Sequence, residues 1–119
     1  TTPDAASRAN EASKFLRAPV VIVVAVEPAA ECPVDEEVAA GAAAVQNMLL
    51  AAHALGLASV WRTGATVRDP HAAVSFGFSP EAVLIGFVYL GTPDAAHPPK
   101  PRPARPALST ITRWDGWHD

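Results

Sequence analysis

The sequence VAAGAAAVQNMLLAAHALGLASVWRTGAT, residues 38–66, is the stretch that decides the fold. Ala, Leu, Met and Gln favour helix, and no proline interrupts them before Gly56, so the stretch predicts one long helix that ends at that glycine. A short strand from Ala58 to Trp61 and a turn at Trp61–Gly64 follow the helix. Because the helix is apolar on most of its circumference, we expect it to form the domain core or part of a subunit interface.

Two further segments, 19–26 (PVVIVVAV) and 82–90 (AVLIGFVYL), are almost unbroken runs of apolar and β-branched residues. Such runs are typical of strands that are buried on both faces. Residues 108–114 predict a final short strand. The sequence therefore indicates a mixed α and β class with few strands.

Helices are predicted on either side of the first strand. Thr2 as N-cap, with Pro3 in the first turn, predicts a helix that ends near Leu16. The acidic residues 35–37 occupy the first turn of the long helix, where the helix dipole favours them. Residues 66–74 carry a weaker helical pattern.

The composition excludes several classes of protein. The 119 residues are predicted to form one domain, 1–119, and half of them are hydrophobic. A net charge of -3 argues against a nucleic-acid surface, and polar residues within the long helix argue against a membrane span. A single cysteine, Cys32, excludes an internal disulfide and favours a reducing cytoplasm, and it is a weak candidate for a catalytic thiol. The sequence has no nucleophile triad, phosphate loop or metal-ligand spacing, so no catalytic side chain or metal ligand is assigned.

The composition changes abruptly after Gly91. Residues 97–106 (HPPKPRPARP) predict an extended, polyproline-like arm that carries Lys100, Arg102 and Arg105. From charge alone, this arm reads as a solvated basic tail.

Four segments in this order resemble the FMN-dependent nitroreductase family, in particular its small bacterial branch of NAD(P)H nitroreductases with a WR[ST]G turn. They are RAPVVIVV, the Ala-rich helix AAVQNMLLAAHALGL, ASVWRTGA, and VLIGFVYLGTP followed by the Pro/Lys/Arg arm. The resemblance extends from about Lys14 to Trp114. It implies an α+β fold, a nitroreductase-like mixed sheet flanked by helices, in an intertwined homodimer with FMN at the interface.

The resemblance also implies how the domain is organised. The 119 residues match the carboxyl-terminal two-thirds of the family domain, without the N-terminal Arg-Arg-Ser type segment that contacts the FMN phosphate in the family. Either that segment has been removed, or it is a separate N-terminal polypeptide, or the chain is a natural short form that binds flavin poorly. The long helix is expected at the dimer core, and the arm beyond Pro93 is expected to reach across the partner subunit.

The resemblance assigns a role to each matched residue. In the family pattern a four-residue turn lies along the flavin ring and directs backbone N–H groups at flavin N5; it matches Trp61, Arg62, Thr63 and Gly64. Lys100 and Arg102 match the basic pair that holds the FMN phosphate. The stretch that binds NAD(P)H in this branch matches Ala51, Ala52, His53, Ala54, Leu55 and Gly56.

The residues alone leave structural alternatives open. Trp61 also reads as a core side chain, and Gly64 as an ordinary turn residue. Most of Ala51–Gly56 reads as helix packing, and His53 is expected to be a polar residue satisfied within that packing rather than a proton donor.

By resemblance, the expected function is a flavin-dependent oxidoreductase that uses NAD(P)H to reduce nitroaromatic or quinone-type small molecules through FMN. The alternative, from another class, is a non-catalytic dimeric remnant that sequesters flavin or serves as an interaction module. The colour of the purified protein distinguishes a flavin-bound enzyme from a remnant that binds no flavin, because bound FMN makes a protein yellow. The sequence does not determine the physiological acceptor or the choice between NADH and NADPH.

Overall fold

A three-stranded sheet with a long helix against it forms the framework of the protein. The computed structural model describes residues 4–97 and 101–116, so the expected N-cap at Thr2 and Pro3 lies outside the described residues. The elements are α1 (Ala5–Lys14), β1 (Val20–Val26), α2 (Val34–Ala54), β2 (Ala58–Arg62), α3 (Ala72–Ser75), β3 (Val83–Gly91) and α4 (Leu108–Ile111), with 3-10 turns at Phe15–Arg17 and Thr66–Arg68.

The strands lie in the order β1-β3-β2, and both pairings are antiparallel. The expected α+β class is confirmed, and the sheet formed by the described residues is antiparallel where a mixed sheet was expected. The central strand β3 is buried from Leu84 to Val88, as predicted. The prediction for β1 was too strong, because an edge strand has a neighbour on one side only: its residues are half-buried, and Val20 is 50% exposed.

Helix α2 begins and ends as the sequence predicts. Its first turn carries Asp35, Glu36 and Glu37. At its end Gly56 has a φ of +75°, and the N–H of Leu57 donates to the carbonyl of Ala52 at 2.9 Å, which is the left-handed glycine cap.

The prediction that α2 is itself the core is wrong, because one chain covers only one side of the helix. Among its residues only Val45 and Ala52 are fully buried, and Val45 packs against Ile85 and Val88 of β3. On the other side Leu50 is 58% exposed and Leu55 is 76% exposed. No helix in the described part of the chain combines the length and apolarity needed to cross a bilayer.

The opposite face of the sheet packs against α3, against the turns beside it and against the 3-10 turn that follows α1. Phe15, Phe76 and Phe87 form an aromatic cluster there, with the rings of Phe15 and Phe87 edge to face at 5.0 Å. This cluster seats the end of α1 on the central strand.

The prediction of a final strand at residues 108–114 is wrong. Leu108–Ile111 is a single helical turn, in which the hydroxyl of Thr110 donates to the carbonyl of Ala107 at 2.7 Å. No described strand lies beside this segment, so a local side-chain hydrogen bond satisfies the backbone instead.

A bulge in β3 holds the indole of Trp61. The register between β1 and β3 shifts after Val24, where Gly86 adopts a φ of +149°. The indole N–H of Trp61 donates to the carbonyl of Ile85 at 3.2 Å. A Cβ on Gly86 would lie 2.4 Å from Trp61 Nε1 and 2.7 Å from the Arg62 carbonyl oxygen, so only glycine leaves room for the indole.

We predict that Gly86→Ala destabilises the fold by about 1–3 kcal/mol more than Gly64→Ala does, as measured by urea unfolding. Gly64 is the matched control because its φ is +144° but no atom lies within 4 Å of a Cβ placed there. Both substitutions therefore strain the backbone, because alanine disfavours a positive φ, and only Gly86→Ala also displaces Trp61. Equal losses of stability would contradict a tight contact at the bulge.

The end of β1 is tied to the turn that precedes β3. The carboxylate of Glu27 accepts hydrogen bonds from the hydroxyl of Ser79 and, at 3.0 Å, from its backbone N–H. These hydrogen bonds hold the pKa of Glu27 below its ordinary value.

Because that pKa is lowered on folding, the contact stabilises the fold above the ordinary glutamate pKa, about 4.3, and is lost as pH falls through the folded value. We expect Glu27→Gln to reduce thermal stability at pH 7, with the deficit shrinking as pH falls below about 4. Glu81→Gln, at an exposed position, is the control and should leave the pH dependence unchanged. A Glu27→Gln deficit that is constant with pH would refute the assignment.

Candidate functional site

A groove of about 670 Å³ lies between the start of β1 and the edge of the sheet at β2. On the sheet side it is lined by Val60 and Tyr89, which are cross-strand partners. On the other side it is lined by Arg17, Ala18 and Pro19, which connect α1 to β1. The volume falls in the range of small-molecule sites, about 300–1,000 Å³.

The Trp61–Gly64 segment is divided between the core and this groove, because side chains alternate along a strand. Trp61 points inward and is half-buried against the core cluster, as the structural alternative expected. The next residue, Arg62, is exposed and lines the groove together with Thr63. Gly64 follows in an open, positive-φ conformation.

The backbone just beyond β2 forms no local turn. Neither the N–H of Thr63 nor that of Gly64 donates in any turn or loop hydrogen bond of the described residues. Both residues are exposed. Two adjacent N–H groups therefore lie beside the groove, where backbone donors can bind an acceptor atom on a ligand.

The segment Ala51–Gly56 lies at the end of α2 and lines a second groove, of about 220 Å³. Ala51, Ala52 and Leu55 contribute to this apolar groove, which shares only Leu90 with the larger one. His53 is exposed and lines neither groove, so the expectation that helix packing satisfies it was wrong. The structure therefore does not bring Ala51–Gly56 together with Arg62 and Thr63 within one chain.

The arm contributes less to the described site. Lys100 lies outside the described residues. Arg102 and Arg105 are exposed, and neither lines a groove. The residues from 101 to 107 have no regular secondary structure, as expected of a proline-rich arm.

Sequence analysis missed two cations at the end of the first helix. Lys14 and Arg17 line the larger groove, although they look like ordinary basic residues of a helix C-terminus. Lys14 pairs with Glu11, whose carboxylate also accepts a hydrogen bond from Thr66 at 3.2 Å. The hydrogen bond from Lys14 is the main reason that the pKa of Glu11 is lowered. The sequence signal that could have identified these two residues is a pair of basic side chains, three positions apart, directly before the first predicted strand.

The resemblance implied an α+β fold of the nitroreductase family, and the family comparison agrees. The nitroreductase family model matches residues 2–92, and the chain belongs to that family. The chain is 37% identical over 81 residues to YdjA of Escherichia coli K12, named as a candidate NAD(P)H nitroreductase, and the match covers 66% of this chain and 44% of YdjA.

Solved structures with the same fold extend the comparison. A nitroreductase-like protein from Bacillus cereus superposes with a TM-score of 0.77 at 25% identity, covering 96% of this chain and 62% of that one. A candidate nitroreductase from Desulfovibrio desulfuricans, solved in complex with FMN, superposes with a TM-score of 0.61 at 26% identity, covering 82% and 55%. The chain thus spans less than two-thirds of each of these relatives.

Proposed function

We propose that this domain is part of a flavin-dependent oxidoreductase that uses NAD(P)H to reduce nitroaromatic or quinone-type acceptors. The observation that carries the proposal is the position of Thr63 and Gly64, whose N–H groups donate in no turn or loop hydrogen bond of the described residues, beside a groove of about 670 Å³ in a chain of the nitroreductase family. The FMN complex of the Desulfovibrio relative supports the choice of flavin.

The residues at the groove fit a flavin ring. The N–H groups of Thr63 and Gly64 would donate to the ring nitrogen N5, and Gly64 has no side chain to obstruct a close approach. Trp61 is held at the bulge by its hydrogen bond to Ile85. This contact fixes the position of the backbone that carries the two N–H groups. Bound there, FMN supplies the redox chemistry, accepting hydride from NAD(P)H and passing electrons to the acceptor.

The proposal includes a homodimer. Leu50 and Leu55 leave an exposed apolar surface on α2, next to the groove lined by Ala51 and Ala52. Exposed apolar surface of this kind marks an interaction site, and a second copy would cover it. Ala51–Gly56 of one protomer would then contribute to NAD(P)H binding, and Lys100 and Arg102 to holding the FMN phosphate.

We predict that the purified protein, mixed with FMN, becomes yellow after removal of free flavin and then oxidises NAD(P)H when a quinone or nitroaromatic is added. Lys100→Ala/Arg102→Ala should weaken FMN binding by about tenfold or more, because charge-assisted contacts to phosphate are lost. Intact mass, measured on the same sample, identifies any second polypeptide.

Each outcome separates the two functional readings. FMN absorbance with acceptor-dependent NAD(P)H oxidation supports the oxidoreductase. Flavin binding without turnover supports the non-catalytic, flavin-sequestering alternative. A protein that retains no flavin after incubation with millimolar FMN and removal of the free flavin contradicts the oxidoreductase and the flavin-sequestering reading, and leaves the interaction module.

A further inference from the structure

The charges along the larger groove differ from those of the chain as a whole. The chain has a net charge of -3, yet the groove is lined by Lys14, Arg17 and Arg62 and by no carboxylate. Several cations lining a concave site favour an anionic ligand that accepts several hydrogen bonds. Residues that carry hydroxyl groups also line the groove, among them Thr63, Tyr89 and Thr92.

The two guanidinium groups are less engaged than the ammonium group of Lys14. Lys14 is paired with Glu11, which neutralises part of its charge. Among the described residues, neither Arg17 nor Arg62 forms an ion pair, although the charge of Arg17 contributes to the lowered pKa of Glu11. An incoming anion therefore meets two guanidinium groups that need not break a direct ion pair.

The backbone places these two cations at different points along the groove. Phe15 packs against Phe87, the cross-strand partner of Arg62, whereas Pro19 lies beside Gly91 at the far end of β2. The segment between Phe15 and Pro19 thus follows a strand of five residues, about 13 Å from first to last. Arg17 is in the middle of this segment. It therefore lies away from Arg62 and toward the far end of the groove.

We propose that this groove binds a phosphate monoester, with Arg17 as the cation that holds it. A ring placed against the backbone of Thr63 and Gly64 would extend its phosphate along the groove toward Arg17. This part of the argument rests on the proposed function, which offers two groups of the required chemistry: the 5′-phosphate of FMN and the 2′-phosphate of NADPH.

The test is isothermal titration calorimetry of the whole chain, with inorganic phosphate, FMN, riboflavin, NADPH and NADH as separate ligands. The variant is Arg17→Gln, and the matched control is Arg68→Gln, which removes an exposed cation that does not line the groove. Arg17→Gln should weaken inorganic phosphate by about tenfold or more, and Arg68→Gln should not. Circular dichroism checks that both variants fold.

The paired ligands identify the source of the phosphate. A loss for FMN with riboflavin unchanged assigns Arg17 to the flavin phosphate, and a loss for NADPH with NADH unchanged assigns it to the nucleotide. If inorganic phosphate binding depends on Arg17 while neither flavin binds at all, the anion site stands and the proposed flavin function fails. Phosphate binding that is equal in wild type and Arg17→Gln, or equally weakened in Arg68→Gln, overturns the proposal.

Discussion

The position of the candidate site depends on one contact, the indole of Trp61 in the space left by Gly86. The bulge in β3 turns the carbonyl of Ile85 toward the edge strand, and the indole N–H satisfies it. With Trp61 held on the core face, alternation along β2 sends Arg62 to the groove. The strand pairing ends at Arg62, and Thr63 and Gly64 follow it at the edge of the groove. A structural role for Trp61 and a functional role for the next residues are therefore two parts of one arrangement.

The sheet presents two different surfaces beyond its core. The larger groove, beside α1, carries cations and hydroxyl groups. The smaller groove, beside α2, is lined by Ile22, Met48 and other apolar side chains. A charged, concave surface suits a small anionic ligand, whereas an apolar one next to exposed Leu50 and Leu55 suits another protein surface. This division explains why a chain with half its residues hydrophobic fully buries so few of them by itself.

Local sequence signals predicted local structure well. β-Branched runs identified β1 and β3, and Gly56 marked the end of α2 because a left-handed cap needs glycine. What the sequence did not reveal was the strand order, since the runs at 19–26 and 82–90 look alike and only the neighbours in the sheet make one an edge strand. The antiparallel sheet and the exposure of His53 depend likewise on packing between distant segments.

The residues of the candidate site also fall into those that the sequence predicted and those that it did not. The WRTG segment was found from its pattern, whereas Arg17 was not, because it joins the groove only when the end of α1 folds against β3. Sequence proximity also misled: Ala51–Gly56 and Arg62 are close along the chain but line different grooves in one protomer. The placement of Lys100 and Arg102 relative to the groove stays a prediction.

The central claim is that the backbone at Thr63 and Gly64 donates to a flavin. The most direct measurement is the change in amide proton and nitrogen chemical shifts as FMN is titrated into isotopically labelled protein. The account predicts that the amides of Thr63 and Gly64 move downfield as they gain an acceptor. The amide of Gly77, which already donates to the carbonyl of Val74 at 3.0 Å, should stay in place. Saturating FMN that shifts other amides and leaves Thr63 and Gly64 unchanged would contradict the account.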